Sequence, residues 1–313
     1  MISDKFMNTI WVFYEANLTP RTRKEYINVV KNFDKCIGHD PLTLTEAEAM
    51  RYYNFLLEKI SNRRLSYTTG LMRLSVMRSL CEFIRYHHEN HGLYYINHFA
   101  SISLPDIDKT IKQESLPTED ELNTLLKLSS ENNDRKAFLI FSLIIKCGLT
   151  SNEISSLNIE HIVIDNNNNM CIQFPLKKRQ KRIIKLPTEI ALLINQYIDS
   201  NQINEGPVFI NKRKTRMKIR DAERLFNKYI QLGMDNNMIN NAFTMQTLRH
   251  AAFVYMLKGG ASEDEVAKYG GITTKWMTRY RRVVTNETNS QAIDYSIISI
   301  KPSIKRPINP PIN

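Results

Sequence analysis

The chain has 313 residues, comfortable for two domains, and its 42% hydrophobic and 24% charged residues are globular values that exclude a disordered or fibrous chain. Lys and Arg number 43 against 32 Asp and Glu, a net charge of +11 that favours a polyanionic partner. Cys36, Cys81, Cys147 and Cys171 stand far apart in apolar stretches, which excludes a disulfide framework and a zinc spacing and points to buried thiols in a reducing cytoplasm.

The opening "MISDKFMNTIWVFY" carries an early acid and no clean apolar run, so it does not read as a signal peptide. No stretch reaches the roughly 18 apolar residues of a membrane helix. Residues 1–105 then read as helices only. "TPRTRKEYINVVKNFDKCIG" begins at Thr19-Pro20 and sets Tyr26, Val29, Val30 and Phe33 at helical spacing. "TEAEAMRYYNFLLEKI" opens on the capping box Thr45/Glu48 and carries Tyr52, Phe55, Leu56 and Ile60. "SYTTGLMRLSVMRSLCEFIRYHHEN" puts Leu71, Leu74, Met77, Leu80, Cys81 and Ile84 on one face. Its other face carries Arg73, Arg78 and Arg85, with His87 and His88 solvated at the far end.

Periodicity is lost in "SISLPDIDKTIKQESLP", bracketed by two prolines, so residues 106–115 are assigned as a linker. Residues 116–298 are mixed. "TEDELNTLLKLSS" is a capped helix, and "DRKAFLIFSLIIKCG" is an apolar helix stopped by Gly148. "NMCIQFPLKKRQKRIIKLP" reads as two strands around a polar, basic turn. Helices follow at about 188–199, 220–232 and 245–258, and "SEDEVAKYGG" is a short helix capped by Ser262 and Glu265 and stopped by Gly270. Residues 299–313, with four prolines and no acid, read as an unfolded basic tail through which copies would associate on DNA.

Two decades concentrate the positive charge: 176–185 and 211–220 hold six basic residues each and no acid. They supply most of the expected duplex-DNA contacts: Lys177, Lys178, Arg179, Lys181 and Arg182, then Lys212, Arg213, Lys214, Arg216 and Arg220. Arg73, Arg78, Arg249, Lys275, Arg279, Arg281 and Arg282 complete the set. Tyr280 lies among the last four of these. A tyrosine there is either a nucleophile or one more aromatic on a basic helix, and the local residues leave both open.

The order of pieces settles more. A helix, "CGLTSNEISSL", the basic hairpin, "QTLRHAAFVYMLKGG", "EVAKYGG" and "MTRY" follow one another, with Tyr280 nine residues after Gly271. This order resembles the catalytic domain of the tyrosine recombinases, the phage integrase family, and the helical first half resembles that family's core-binding (SAM-like) domain. The resemblance spans roughly residues 10–290. It implies a mainly α fold with a small β-sheet (α+β), two lobes clamping duplex DNA, and strand cleavage by tyrosine without metal or cofactor. A mobile-element origin, such as a plasmid or phage, is what the family suggests.

Carried over by position, the resemblance implies Tyr280 as nucleophile, Arg249 as the second arginine and Lys177 (or Lys178) as the lysine. Glu153 would be the bracing acid and His250 a supporting group. Three positions depart from the family: Thr150 stands where the first arginine belongs, and Gln246 and Gly271 where imidazole or indole belongs. Thr150 and Glu153 instead form a Thr-x-x-Glu capping box. The expectation is therefore a DNA-binding protein that does not cleave, an accessory, regulatory or partition-type factor. The alternative is an active recombinase in which Lys146 or Arg281 supplies the missing cation.

Overall fold

The structure, a computed structural model, describes residues 2–175 and 181–288. Lys177, Lys178 and Arg179, and the basic tail at 299–313, lie outside the described residues. The chain divides into two compact units, the first Met1–Asp108 and the second beginning at Lys109. The fold is mainly helical with one small sheet.

The first unit is helical throughout. It opens with α1 (Asp4–Phe6), a π turn (Met7–Trp11) and α2 (Val12–Ala16) in unbroken succession, burying Phe6, Ile10, Trp11 and Tyr14. Helix α3 (Pro20–Ile37) starts as its sequence dictates: the Thr19 side chain accepts from the Thr22 amide, and Pro20 fills a first-turn position whose N–H would have no partner. Helix α4 (Glu46–Ser61) is opened by the Thr45/Glu48 box and α5 (Tyr67–Glu89) by Ser66. Phe33, Tyr52 and Phe99 meet edge to face in the core, with ring centroids 5.1 to 6.3 Å apart.

Two arginines expected on DNA are used internally. Arg78 donates from Nε to Phe99 O (3.1 Å) and from Nη2 to Ile102 O (2.5 Å), pinning the segment after α5. Arg73 donates to Asn32 Oδ1 at 2.8 Å. The two are thus satisfied within the unit, Arg73 by α3 and Arg78 by a following segment that has no periodicity of its own. His87 and His88 are likewise half-buried rather than solvated, stacked on His91 and Tyr95.

The second unit is built around α7 (Arg135–Cys147), whose apolar residues are buried on nearly every side. Before it comes α6 (Glu119–Glu131), and after it the short α8 (Ser151–Ser156). A three-stranded antiparallel sheet follows: β1 (Ile162–Ile164), β2 (Met170–Pro175) and β3 (Lys181–Lys185), in that order, with Ile172 opposite Ile184. The sequence announced only β2 and β3, because three residues are too few to show alternation. Helices α9 (Thr188–Ser200), α10 (Ile219–Asp235), α11 (Met245–Lys258), α12 (Glu263–Gly270), α13 (Thr274–Met277) and α14 (Arg281–Thr288) complete the unit. The stop of α12 is Gly271 (φ 65°), not Gly270, which is the last helical residue.

Candidate functional site

Glu153 is where the elements converge. It sits in the first turn of α8, and the turn before it is fixed by sequence: Gly148 ends α7 in the left-handed region at φ 60°, and Thr150 caps α8. The cap is reciprocal. Glu153 Oε2 accepts from the Thr150 amide (2.8 Å) and hydroxyl (2.9 Å), while Thr150 Oγ1 accepts from the Glu153 amide (3.1 Å). The capping box read in the sequence therefore exists, and it holds the carboxylate of Glu153 in one orientation.

Two guanidinium groups lie on that carboxylate. Arg249, in α11 and 8% exposed, donates from Nη1 to Oε2 at 3.4 Å and from Nη2 to Gly270 O at 2.6 Å. Its guanidinium also lies over the Phe253 ring, 4.9 Å from the centroid. Burial and the neighbouring charge of Arg182 bring its pKa down to about 10.

Arg182, in β3, is the second. The sequence placed it with the hairpin's surface cations, but it is 3% exposed. It donates from Nη1 to Glu153 Oε1 and from Nε to Tyr269 O at 2.8 Å. Its Nη2 reaches Cys147 O and Gly148 O at only 3.5 Å each. The alternation of β3 decides this: Arg182 and Ile184 share the inward face, while Ile183, which the pattern would bury, is 54% exposed. Neither cation nominated from the sequence takes this place. Lys146 faces Glu189 at 3.9 Å, and Arg281 holds Glu263 with two bonds of 2.7 and 2.9 Å.

Gly271 belongs to the same cluster. A Cβ built there would stand 2.6 Å from Arg182 Cδ and 3.0 Å from its Nε. The volume an imidazole would need at position 271 is filled by the arginine stem. Gln246, the other departed position, is exposed on the first turn of α11.

Tyr280 is 1% exposed, its ring edge-to-face with Phe253 at 5.9 Å. Its hydroxyl lies 2.7 Å from His250 Nδ1. Burial pushes the phenol up to about 12, against the charges of Arg279 and Arg249; burial, with the same two arginines, pulls His250 down to about 4. At neutral pH the imidazole is uncharged and the phenol protonated. With the ring proton on Nε2, Nδ1 accepts from the hydroxyl. The site thus gathers Glu153, Arg182, Arg249, His250 and Tyr280 from α8, β3, α11 and the turn before α14.

The remaining basic residues divide in two. Lys212, Arg213, Lys214, Arg220, Lys275 and Arg282 are exposed. Lys212 and Arg213 line a groove at the start of α10 together with Lys218 of the same basic decade and with Lys136, Arg224 and Lys228, which the sequence does not single out. Arg216 is exposed but tied to Ser155 O (3.2 Å) and Asn158 Oδ1 (2.6 Å). Arg279 is half-buried, donates to Lys109 O at 2.9 Å and stacks 4.6 Å from the Trp276 centroid, so it braces the start of the second unit. The backbone of Lys181 lies in β3. Among the described residues, no cluster of three or more His, Cys, Asp or Glu could hold a metal ion, and no helix is long and apolar enough to cross a membrane.

Comparison with known proteins gives the family and the fold. The profile of the phage integrase family matches residues 116–287. The chain is 22% identical over 269 residues to a tyrosine recombinase XerC of Syntrophus aciditrophicus (strain SB), covering 79% of this chain and 82% of that one. In structure it is similar to a lambda integrase(75-356) dimer bound to a COC' core site, with a TM-score of 0.65 at 12% identity over 96% of this chain and 100% of that one. It is also similar to the XerH site-specific recombinase bound to palindromic difH substrate in a post-cleavage complex, with a TM-score of 0.60 at 16% identity over 79% and 71%. Motif order, fold and family profile agree: the chain belongs to the phage integrase family of tyrosine recombinases.

Proposed function

We propose that this chain binds duplex DNA as a site-binding accessory, regulatory or partition-type factor, and that the site as arranged here does not cut the strand. The observation that carries the second half is the Tyr280–His250 pair. The nucleophile is buried, its phenol pushed up to about 12 and the facing imidazole pulled down to about 4, both chiefly by burial. Burial thus holds the proton on the phenol and away from the imidazole at neutral pH. DNA as the partner is supported by the exposed cations around α10 and α13 and by the similar structures, solved bound to a difH substrate and to a COC' core site. A mobile-element origin is what such relatives suggest.

A second reading, cleavage and religation through Tyr280, is favoured by the same 2.7 Å contact, because a nucleophile within reach of a base is the arrangement that covalent catalysis requires. In that reaction a bond forms between Tyr280 Oη and phosphorus, and the bond to the 5′ oxygen breaks. The phenolic proton passes to His250 Nδ1, and the departing oxygen takes a proton from Lys177. The product is a 3′-phosphotyrosyl link with a free 5′ hydroxyl.

One experiment separates the two. Duplex sites are selected from a random pool with the full chain, and a nicked version of the selected site is offered, so that a cleaved fragment diffuses away and leaves any phosphotyrosine trapped. Binding with no denaturant-resistant band supports the first reading. A band that disappears in Tyr280→Phe overturns it in favour of cleavage, and failure to enrich any duplex overturns both.

A further inference from the structure

The short helix that leads to Tyr280 leaves one large ring outside. In α13 and the turn after it, Met277 and Tyr280 are buried, while Trp276 is 50% exposed. The indole is nonetheless held in place. The Trp276 amide donates to Thr273 O at 2.8 Å, and its carbonyl accepts from the Arg279 amide at 3.3 Å. The Arg279 guanidinium stacks 4.6 Å from the ring centroid, within range of a cation–π contact. That guanidinium is itself fixed, because its Nε donates to Lys109 O at 2.9 Å. The next link is in the core: buried Ile111 donates its amide to Arg279 O at 2.8 Å. A fixed cation therefore backs the ring.

The surroundings are cationic. The stretch "KWMTRYRR", residues 275–282, holds four basic residues and no acid, and Lys109 and Lys112 are exposed on the segment bonded to Arg279. The acids at the start of α12 are engaged: Glu263 holds Arg281, and Asp264 accepts from Thr274 Oγ1 at 2.8 Å. An exposed indole among cations suits a ligand that is flat in one part and polyanionic in another, as a nucleotide strand is. Bases inside a closed duplex are covered on both faces by their neighbours. Only a base taken out of the stack offers a free face to the ring.

We propose that Trp276, backed by Arg279, is a stacking platform for one unpaired base of a DNA strand, and that the cations around it receive the adjoining phosphates. The ligand is then DNA with an unpaired stretch, such as a frayed, nicked or branched site. The proposal deepens the DNA-binding reading and rests on it for the identity of the natural ligand. It does not require cleavage.

Two dye-labelled strands are the probes: oligothymidylate, and an abasic chain of the same length and charge. Their affinities for the full chain are read by fluorescence anisotropy. The parent is expected to bind oligothymidylate about tenfold more tightly than the abasic chain, the contribution of one stacked base. Trp276→Ala should abolish that preference and leave abasic binding unchanged, because the cations remain. Trp276→Tyr keeps an aromatic face and should retain part of it, which separates stacking from a general loss of structure. In a Trp11→Phe chain, whose remaining indole is Trp276, unlabelled oligothymidylate should quench the fluorescence and the abasic chain should not. Equal affinity of the parent for the two strands overturns the proposal. So does a preference that survives in Trp276→Ala, or an indole that oligothymidylate does not quench. A parent that enriches a duplex site but shows no preference for thymidine keeps the duplex reading and loses this one. One that prefers thymidine through Trp276 but enriches no duplex keeps the platform and removes duplex DNA as the ligand.

Discussion

Replacing Gly271 by histidine, the family's own choice of residue type, should damage this protein rather than repair it. Two effects add. Position 271 has φ 65°, where a side chain costs about 1–2 kcal/mol. The new Cβ would stand 2.6 Å from Arg182 Cδ, so the arginine must leave, giving up its bond to Tyr269 O and its pairing with Glu153. Breaking a buried ion pair of this kind costs about 3–5 kcal/mol. Gly271→His alone should therefore lose about 4–7 kcal/mol, whereas in an Arg182→Ala background only the backbone part, about 1–2 kcal/mol, remains. The two units need not unfold together, so the second must be followed by itself. The chain has two tryptophans, Trp11 in the first unit and Trp276 in the second, so Trp11→Phe leaves a reporter for the second alone. Urea unfolding of the four chains of the cycle, read by Trp276 fluorescence, should give a coupling of about 3 kcal/mol or more. Additivity within about 0.5 kcal/mol would show that Gly271 and Arg182 do not compete for one space.

Four further outcomes follow from named residues. Thr150→Val removes the α8 cap and one donor to Glu153, and should cost the second unit about 1–2 kcal/mol in the same urea assay. His250 titrates near 4 when folded and near 6.5 when free, so between these values the unfolded chain binds more protons. Stability is then complete above about pH 7.5 and falls as pH drops towards 4, by about 1–2 kcal/mol after allowing for the ring's partial exposure, and His250→Gln should flatten that slope. Lys212, Arg213 and Arg220 changed together to alanine should lower the slope of log affinity against log salt by up to about 2.7, at about 0.9 per phosphate contact. Arg78→Ala should leave that slope alone and instead cost the first unit about 1–3 kcal/mol, since it unpins Phe99 O and Ile102 O.

Local chemistry was legible in the sequence wherever one turn of chain decides the outcome. The boxes at Thr45, Thr150 and Ser262, and the stop at Gly148, stand in the structure as their residues dictate. The family order placed Glu153, Arg249, His250 and Tyr280 together although they span more than a hundred residues. What could not be read was the direction of long cationic side chains. Arg78, Arg182 and Arg279 stand in basic, polar-looking stretches, yet each donates to backbone carbonyls 21 or more residues away. No periodicity reports such a partner. For Arg182 the strand pattern was ambiguous as well: "KRIIK" offers an isoleucine on each face, and only the fold shows that Ile184, on the face of Arg182, is the buried one.

A threonine at the start of α8 and an arginine arriving from β3 have an electrostatic logic. An arginine at position 150 would stand at the N-cap of α8, where it could not accept from the Glu153 amide and would face the positive end of the helix. Threonine there satisfies that amide, and it leaves the favoured first-turn place for an acid to Glu153. Arg182 comes instead to helix ends of the opposite sign. Its nitrogens lie on Tyr269 O in the last turn of α12 and near the carbonyls of Cys147 and Gly148 that close α7, while Arg249 takes Gly270 O beside it. Carbonyls at a C-terminus favour cations. The two arginines are thus held by backbone as well as by Glu153. Thr150 and Gly271 thus serve the same carboxylate from two sides: the first orients Glu153 through its cap, and the second leaves the room through which Arg182 reaches it.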